Sequence, residues 1–161
     1  KMKKTTILSM ITSMVLFVGC GDSTTESSTP EKGTITGTIT FTGENCPTTD
    51  LTIGMYTNWY PTGPPAAYIE VVGENISDGT YNYTITDIEF GTYAATFVAW
   101  EDVNTVNETS GQNQQYTLGL YGSSYDFTTG MLTTPTSITL SATNYEATNV
   151  DITASCSLIS N

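Results

Sequence analysis

The sequence predicts an all-β protein: an antiparallel Greek-key β-sandwich of about seven or eight strands, preceded by a signal peptide and a disordered tether. Three observations carry this. From Gly33 onward, apolar and polar residues alternate with period two in short runs, and no helical periodicity appears. Segments rich in Gly, Pro, Asn, Asp and Ser join the runs. Thr is the commonest residue, and with ten Tyr it gives a composition suited to half-buried strands. A chain of 161 residues has the length of one domain, placed here at 33–161.

The amino-terminal stretch, 1–19, reads KMKKTTILSMITSMVLFVG, with a basic start at Lys3 and Lys4 and Met2 as the expected first residue. Ile7 to Val18 is mostly apolar. As a helix it would span about 18 Å, short of the ~30 Å hydrocarbon core of a membrane. It therefore reads as a secretion signal and not as a span. Residues 20–32, Cys20 followed by GDSTTESSTPEK, contain no large apolar side chain and read as a flexible tether. Its extended reach is at most about 40 Å.

The strands follow in order. GTITGTITFT (33–42) sets Ile35, Ile39 and Phe41 against a row of Thr. Such a row also occurs on ice-binding surfaces, but one row without a repeat is better explained as the solvent side of a strand. LTIGMYT (51–57) alternates Leu51, Ile53 and Met55, and AYIEVVG (67–73) follows a Pro-rich loop. TYNYTITDI (80–88) alternates Tyr81, Tyr83 and Ile85. TYAATFVAW (92–100) is apolar on both faces and is therefore expected to be central. QQYTLGLYG (114–122), TSITLSA (136–142) and NVDITASCSL (149–158) complete the set, the last with Val150, Ile152, Ala154, Cys156 and Leu158 on one face.

Two resemblances bear on these readings. Phe17-Val18-Gly19-Cys20 resembles the lipobox of bacterial lipoproteins, with Phe17 in place of the usual Leu, which stands one position earlier as Leu16. The resemblance implies that Cys20 receives a diacylglyceryl group and becomes the first residue of the mature chain. Two acyl chains give stable membrane attachment. A Cys falling by chance near an ordinary signal peptide is the alternative. Gly21 after the Cys implies, by the same resemblance, the outer membrane or surface of a bacterium with two membranes. The second resemblance is to carboxypeptidase regulatory-like domains, the transthyretin-type sandwich. It rests on GTITGTITFTG, on YTITDIEFGTYAATFVAWED (83–102) with Gly91 and Tyr93 in its Gly-x-Tyr turn, and on TPTSITLSATNYEATNVDIT (134–153). The Pro usual before that Gly is replaced by Glu89-Phe90. These domains are mostly structural or interaction modules, so the resemblance implies fold more than function.

Assigning Cys20 to lipid leaves Cys46 and Cys156, an even count in a secreted chain, and a disulfide between them is expected. Two buried free thiols are the alternative.

Charge excludes several functions. From Cys20 onward one Lys faces sixteen Asp and Glu, a sum of −15, and Arg and His are absent from the whole chain. Nothing can neutralise nucleic-acid phosphates or attract anionic lipid. Membrane contact is expected through the lipid alone. Without His there is no imidazole to activate a nucleophile or bind a metal. GSSYD (122–126) does not match a nucleophile elbow. The carboxylate pairs Glu101–Asp102 and Asp87–Glu89 mark no substrate cleft, and the chain is not expected to be an enzyme.

Two segments remain as candidate sites. In WEDVNTVNETSGQNQ (100–114), read as a polar loop, Asp102, Asn104 and Glu108 offer hard oxygen ligands of the kind Ca²⁺ takes. The segment departs from the EF-hand template at Val106 and Asn113, and a solvated loop accounts for the same residues. In NWYPTGPPAAY (58–68), Trp59 and Tyr60 are braced by Pro61, Pro64 and Pro65, an arrangement that presents stacking surfaces to sugars or proteins. Capping of the core is the other use of such rings. The sequence thus predicts a lipid-anchored cell-envelope lipoprotein with a structural, adhesive or protein-interaction role, its partner an envelope protein or glycan. The alternative is a calcium-dependent or aromatic-platform module binding carbohydrate or a small ligand. No cofactor is called for beyond that calcium.

Overall fold

The computed structural model describes residues 29–126 and 128–159. Cys20, the expected signal peptide and most of the expected tether lie outside these residues. Within them the protein is all-β. The strands are β1 (Gly33–Thr42), β2 (Leu51–Tyr56), β3 (Ala67–Glu70), β4 (Thr80–Ile88), β5 (Gly91–Tyr93), β6 (Ala95–Val106), β7 (Asn113–Leu120), β8 (Tyr125–Asp126), β9 (Met131–Leu132), β10 (Ile138–Leu140), β11 (Glu146–Ala147) and β12 (Ile152–Ser155). Single 3₁₀ turns span Gly73–Asn75 and Cys156–Ile159.

Period-two alternation does what the sequence implies. In β1, Ile35 and Ile39 are fully buried while the Thr residues between them face outward. β1 pairs antiparallel with β4, and on its other edge with β11 and then β12. The second large sheet has the order β3-β2-β6-β7, and all its ladders are antiparallel. The core between the sheets is built by Ile35, Ile39, Ile85, Ile88 and Ile152 against Leu51, Ile53, Met55, Val98 and Leu118, all buried. Two short ladders, β5 with β10 and β8 with β9, complete the described pairing.

Specific polar contacts fix the joints. The Tyr83 hydroxyl is buried and donates to the Val150 carbonyl at 2.5 Å. Burial, with Asp151 and Tyr121 adding to it, holds this phenol above its ordinary pKa. It is the neutral, donating form that the site demands. The Tyr93 hydroxyl donates to the Glu89 carbonyl at 2.6 Å and closes the turn between β4 and β5. Between β11 and β12 the ladder is interrupted, and the Asp151 carboxylate accepts from the Thr38 N–H at 2.8 Å in its place. Where β7 meets β12, a Cβ on Gly119 would stand 2.2 Å from the Thr153 carbonyl oxygen, so the two edges close only over a glycine.

The structure differs from the sequence reading in four places. The edge of β1 shared with β11 and β12 is parallel, against the expectation of antiparallel pairing throughout. Segment 92–100 is not one strand: it breaks at Ala94, whose N–H donates to the Tyr56 carbonyl, so β5 pairs with β10 while β6 joins the other sheet. Segment 100–114 is largely a hairpin, β6 running to Val106 and β7 starting at Asn113. Finally, β12 stops at Ser155, and Cys156 is carried in a 3₁₀ turn, still buried. The expected central position of β6 is observed, between β2 and β7.

Cys46 and Cys156 form a disulfide with Cα atoms 5.1 Å apart, closing a separation of 110 residues. A loop of this length contributes about 4–5 kcal/mol in the chain-entropy description. The double variant Cys46→Ala/Cys156→Ala is expected to lower the melting temperature by more than about 10 °C, as read by circular dichroism. An unchanged melting temperature would show that the bond does not constrain the unfolded chain.

Candidate functional site

The outer face of the β3-β2-β6-β7 sheet carries an aromatic trough. Register explains its floor. Tyr68 of β3, Gly54 of β2, Phe97 of β6 and Leu120 of β7 stand in one row across four strands. Along β6 the outward side chains are Ala95, Phe97, Ala99 and Glu101, and Ala95, Phe97 and Leu120 form a small apolar cluster distinct from the main core. Gly54 makes the row possible. A Cβ there would lie 2.9 Å from the Phe97 ring, so the ring occupies the space that a side chain would fill. Tyr56 then stacks on Phe97, with centroids 4.6 Å apart and planes 18° from parallel. Partial burial raises the Tyr56 phenol above its ordinary pKa.

The Pro-rich loop after β2 forms the walls. The Ala66 N–H donates to the Met55 carbonyl at 2.8 Å, which returns the chain to the sheet. The Asn58 side-chain amide donates to the Tyr60 carbonyl and to the Thr62 hydroxyl, each at 3.1 Å. Trp59 is half-buried against the outer cluster and stacks on Tyr60 at 4.8 Å, while Tyr60 remains 65% exposed. Trp59 thus covers apolar surface, while the Tyr60 ring faces outward.

Two cavities flank the Tyr56–Phe97 stack and share Tyr56, Phe97, Ala99 and Gln115. One, of about 300 Å³, is bounded by Pro64, Pro65, Tyr68, Thr52 and Glu101. The other, of about 320 Å³, is bounded by Trp59, Tyr60, Pro61, Thr117 and Leu120. Each lies at the small end of ligand sites. Glu101 is half-buried at the border, its Oε1 accepting from the Asn113 side chain at 2.6 Å.

The trough brings Trp59 and Tyr60 together with Glu101, which the sequence marks as one of a carboxylate pair, and with Tyr56, Tyr68, Phe97 and Gln115, which the sequence reading did not single out. The one signal for them was the two-sided apolar pattern of 95–100. The candidate calcium ligands are placed differently. Residues 103–105 bulge from the β6–β7 ladder, which shifts register once between Val98 and Ala99, runs on to Asp102–Gln114 and resumes at Val106–Asn113. The Asp102 carboxylate accepts from the Asn104 N–H at 3.0 Å. Hydrogen bonds from the Thr105 hydroxyl and the Asn104 backbone lower its pKa. Glu108 stands in the tight turn that the Asn107 side chain organises by accepting from the Thr109 and Ser110 N–H groups. Among the described residues no three side chains of Asp, Glu, Cys or His converge as a metal site requires.

Comparison with family models, with curated proteins and with solved structures finds no match to this chain. A reading of what the folded domain binds therefore rests on the trough itself.

Replacing Gly54 by Ala tests how the trough is built. The new methyl group must displace the Phe97 ring or the Ala67 carbonyl, and a loss of about 1–3 kcal/mol is expected from overpacking. The expected accompaniment is a changed near-ultraviolet circular dichroism spectrum as the Tyr56–Phe97 stack opens. Wild-type stability and spectrum in Gly54→Ala would refute the account of the floor.

Proposed function

We propose that this protein is a lipid-anchored lipoprotein of the bacterial cell envelope that binds carbohydrate on the aromatic trough of its sandwich. The observation that carries the binding reading is the pair of cavities that share the Tyr56–Phe97 stack, one of them bounded by Trp59 and Tyr60. Aromatic faces pack against the C–H faces of sugar rings, and the amide of Gln115 with the hydroxyls of Thr52 and Thr117 supplies hydrogen bonds beside them. The platform stands on strands and on a Pro-braced loop, so little order is lost when a ligand stacks on it. Adhesion at the envelope is, in this reading, glycan contact through that face.

The anchor is Cys20, supported by the basic, apolar and lipobox-like order of residues 1–20 and by the polar segment that follows. A tether reaching about 40 Å lets the sandwich stand clear of the bilayer.

Two measurements address these parts separately. On a glycan array the full chain is expected to bind a defined subset of saccharides. The Trp59→Ala/Tyr60→Ala variant should lose that binding while retaining a cooperative melt. Silence of the folded wild-type chain across neutral and charged glycans removes the carbohydrate reading. In a bacterial host, the wild-type chain is expected in the membrane fraction with the mass of a diacylated or triacylated Cys20. Cys20→Ala is expected to release it to the soluble fraction. Membrane retention of Cys20→Ala at unshifted mass contradicts the anchor.

A further inference from the structure

We infer that the cavity bounded by Tyr56, Tyr68, Phe97 and Glu101 receives an organic ammonium group, so that the ligand of the trough carries a cationic nitrogen. This rests on the binding role given to the trough and specifies the charge of what it binds.

The lining is the chemistry that recognises a soft cation. Three aromatic side chains, Tyr56, Phe97 and Tyr68, border one cavity of about 300 Å³. Aromatic faces carry negative quadrupole density, and a cation within about 6 Å of a ring centroid is attracted to it. Pro64 and Pro65 also line the cavity, and proline has no N–H to offer an anion or a sugar oxygen. Thr52 and Gln115 complete the lining with a neutral hydroxyl and a neutral amide, so a tertiary or quaternary ammonium meets electron-rich rings and a carboxylate there and no competing cation.

The charge arrangement points the same way. Glu101 lines the cavity with its carboxylate anchored by Asn113, which leaves a negative group fixed at the rim. Beyond it the surface continues into a notch bordered by Asp50 and Glu70, so three carboxylates flank that end of the trough. The only cationic side chain among the described residues, Lys32, is held 3.2 Å from Glu89 at the β4–β5 turn and not at this face. With a side-chain sum of −15 from Cys20 onward, an anionic ligand meets repulsion everywhere and no counter-charge in the cavity. A neutral ligand would gain nothing from Glu101 beyond a hydrogen bond.

The test compares choline with 3,3-dimethyl-1-butanol, its uncharged carbon isostere, by calorimetry or NMR titration of the full chain. Choline is expected to bind at least about tenfold tighter than the isostere, weakening between about 0.1 M and 1 M salt. Glu101→Gln is expected to lose about fivefold or more in choline affinity. Glu146→Gln removes the same charge from an exposed position on the other sheet and should change it less than about twofold. Tyr68→Ala alters an exposed ring, retains the fold, and should also weaken choline should Glu101→Gln prove unstable. Equal binding of the isostere overturns the inference. So does equal weakening by Glu146→Gln and Glu101→Gln, which would show a general field and no site. If neutral saccharides bind the trough but choline does not, the ammonium assignment fails while the platform stands. If neither binds, both fail.

Discussion

Strand β6 must be buried on both faces, and the rest of the architecture answers that requirement. Its inner side chains, Val98 and Trp100, belong to the core between the sheets, with Trp100 stacked on Tyr116 at 5.6 Å. Its outer side chains, Ala95, Phe97 and Ala99, are equally apolar, and among the described residues the only strand residue of another sheet packed on their cluster is Leu132 of the short β8–β9 ladder. The cover comes from Tyr56 and from a loop carrying Trp59, Tyr60 and three prolines. A loop is narrower than a sheet, and a trough remains on either side of the Tyr56–Phe97 stack. The candidate site is in this sense the unfilled part of a second, smaller core. The two-sided burial also has a cost in the main core: Thr96 is 1% exposed, and its hydroxyl finds no hydrogen-bond partner.

The platform is held by features remote from it. The Cys46–Cys156 disulfide joins the segment after β1 to the turn after β12. The β7–β12 contact at Gly119 closes the same side of the sandwich. Because β7 also supplies Gln115, Thr117 and Leu120 to the outer face, whatever fixes its inner face positions those side chains too. A site placed on strands that are locked from behind is preorganised, and a small cavity can then discriminate by ring position and charge.

Much of the sandwich was legible in the sequence because period-two burial is a local signal. The bounds of β1 and β4 and the inward residues of β2 follow directly from alternation. The disulfide was legible by cysteine counting once Cys20 was set aside. What alternation does not encode is which strands pair. The row Tyr68–Gly54–Phe97–Leu120 joins four strands whose registers are set by turns and packing, so its members carry no common mark along the chain. Trp59 and Tyr60 were visible because they are adjacent in sequence, and Glu101 as one of a carboxylate pair; Tyr56 and Tyr68 were not. The hairpin at 100–114 was obscured by its polar composition. β-branched Val103, Thr105 and Val106 nonetheless favour extended backbone, and Asn107 supplies the turn.

In the proposed function a ligand sits on the outer face of this sheet, and not on its acidic surface at large. Aromatic-resolved NMR of the full chain titrated with a glucosamine oligosaccharide tests it directly. Saturable shifts are predicted for Tyr56, Trp59, Tyr60, Tyr68 and Phe97, with Trp100 and Tyr116 on the inner face unmoved. Shifts spread over the acidic surface without saturation, or confined to residues of the inner face, would contradict the account.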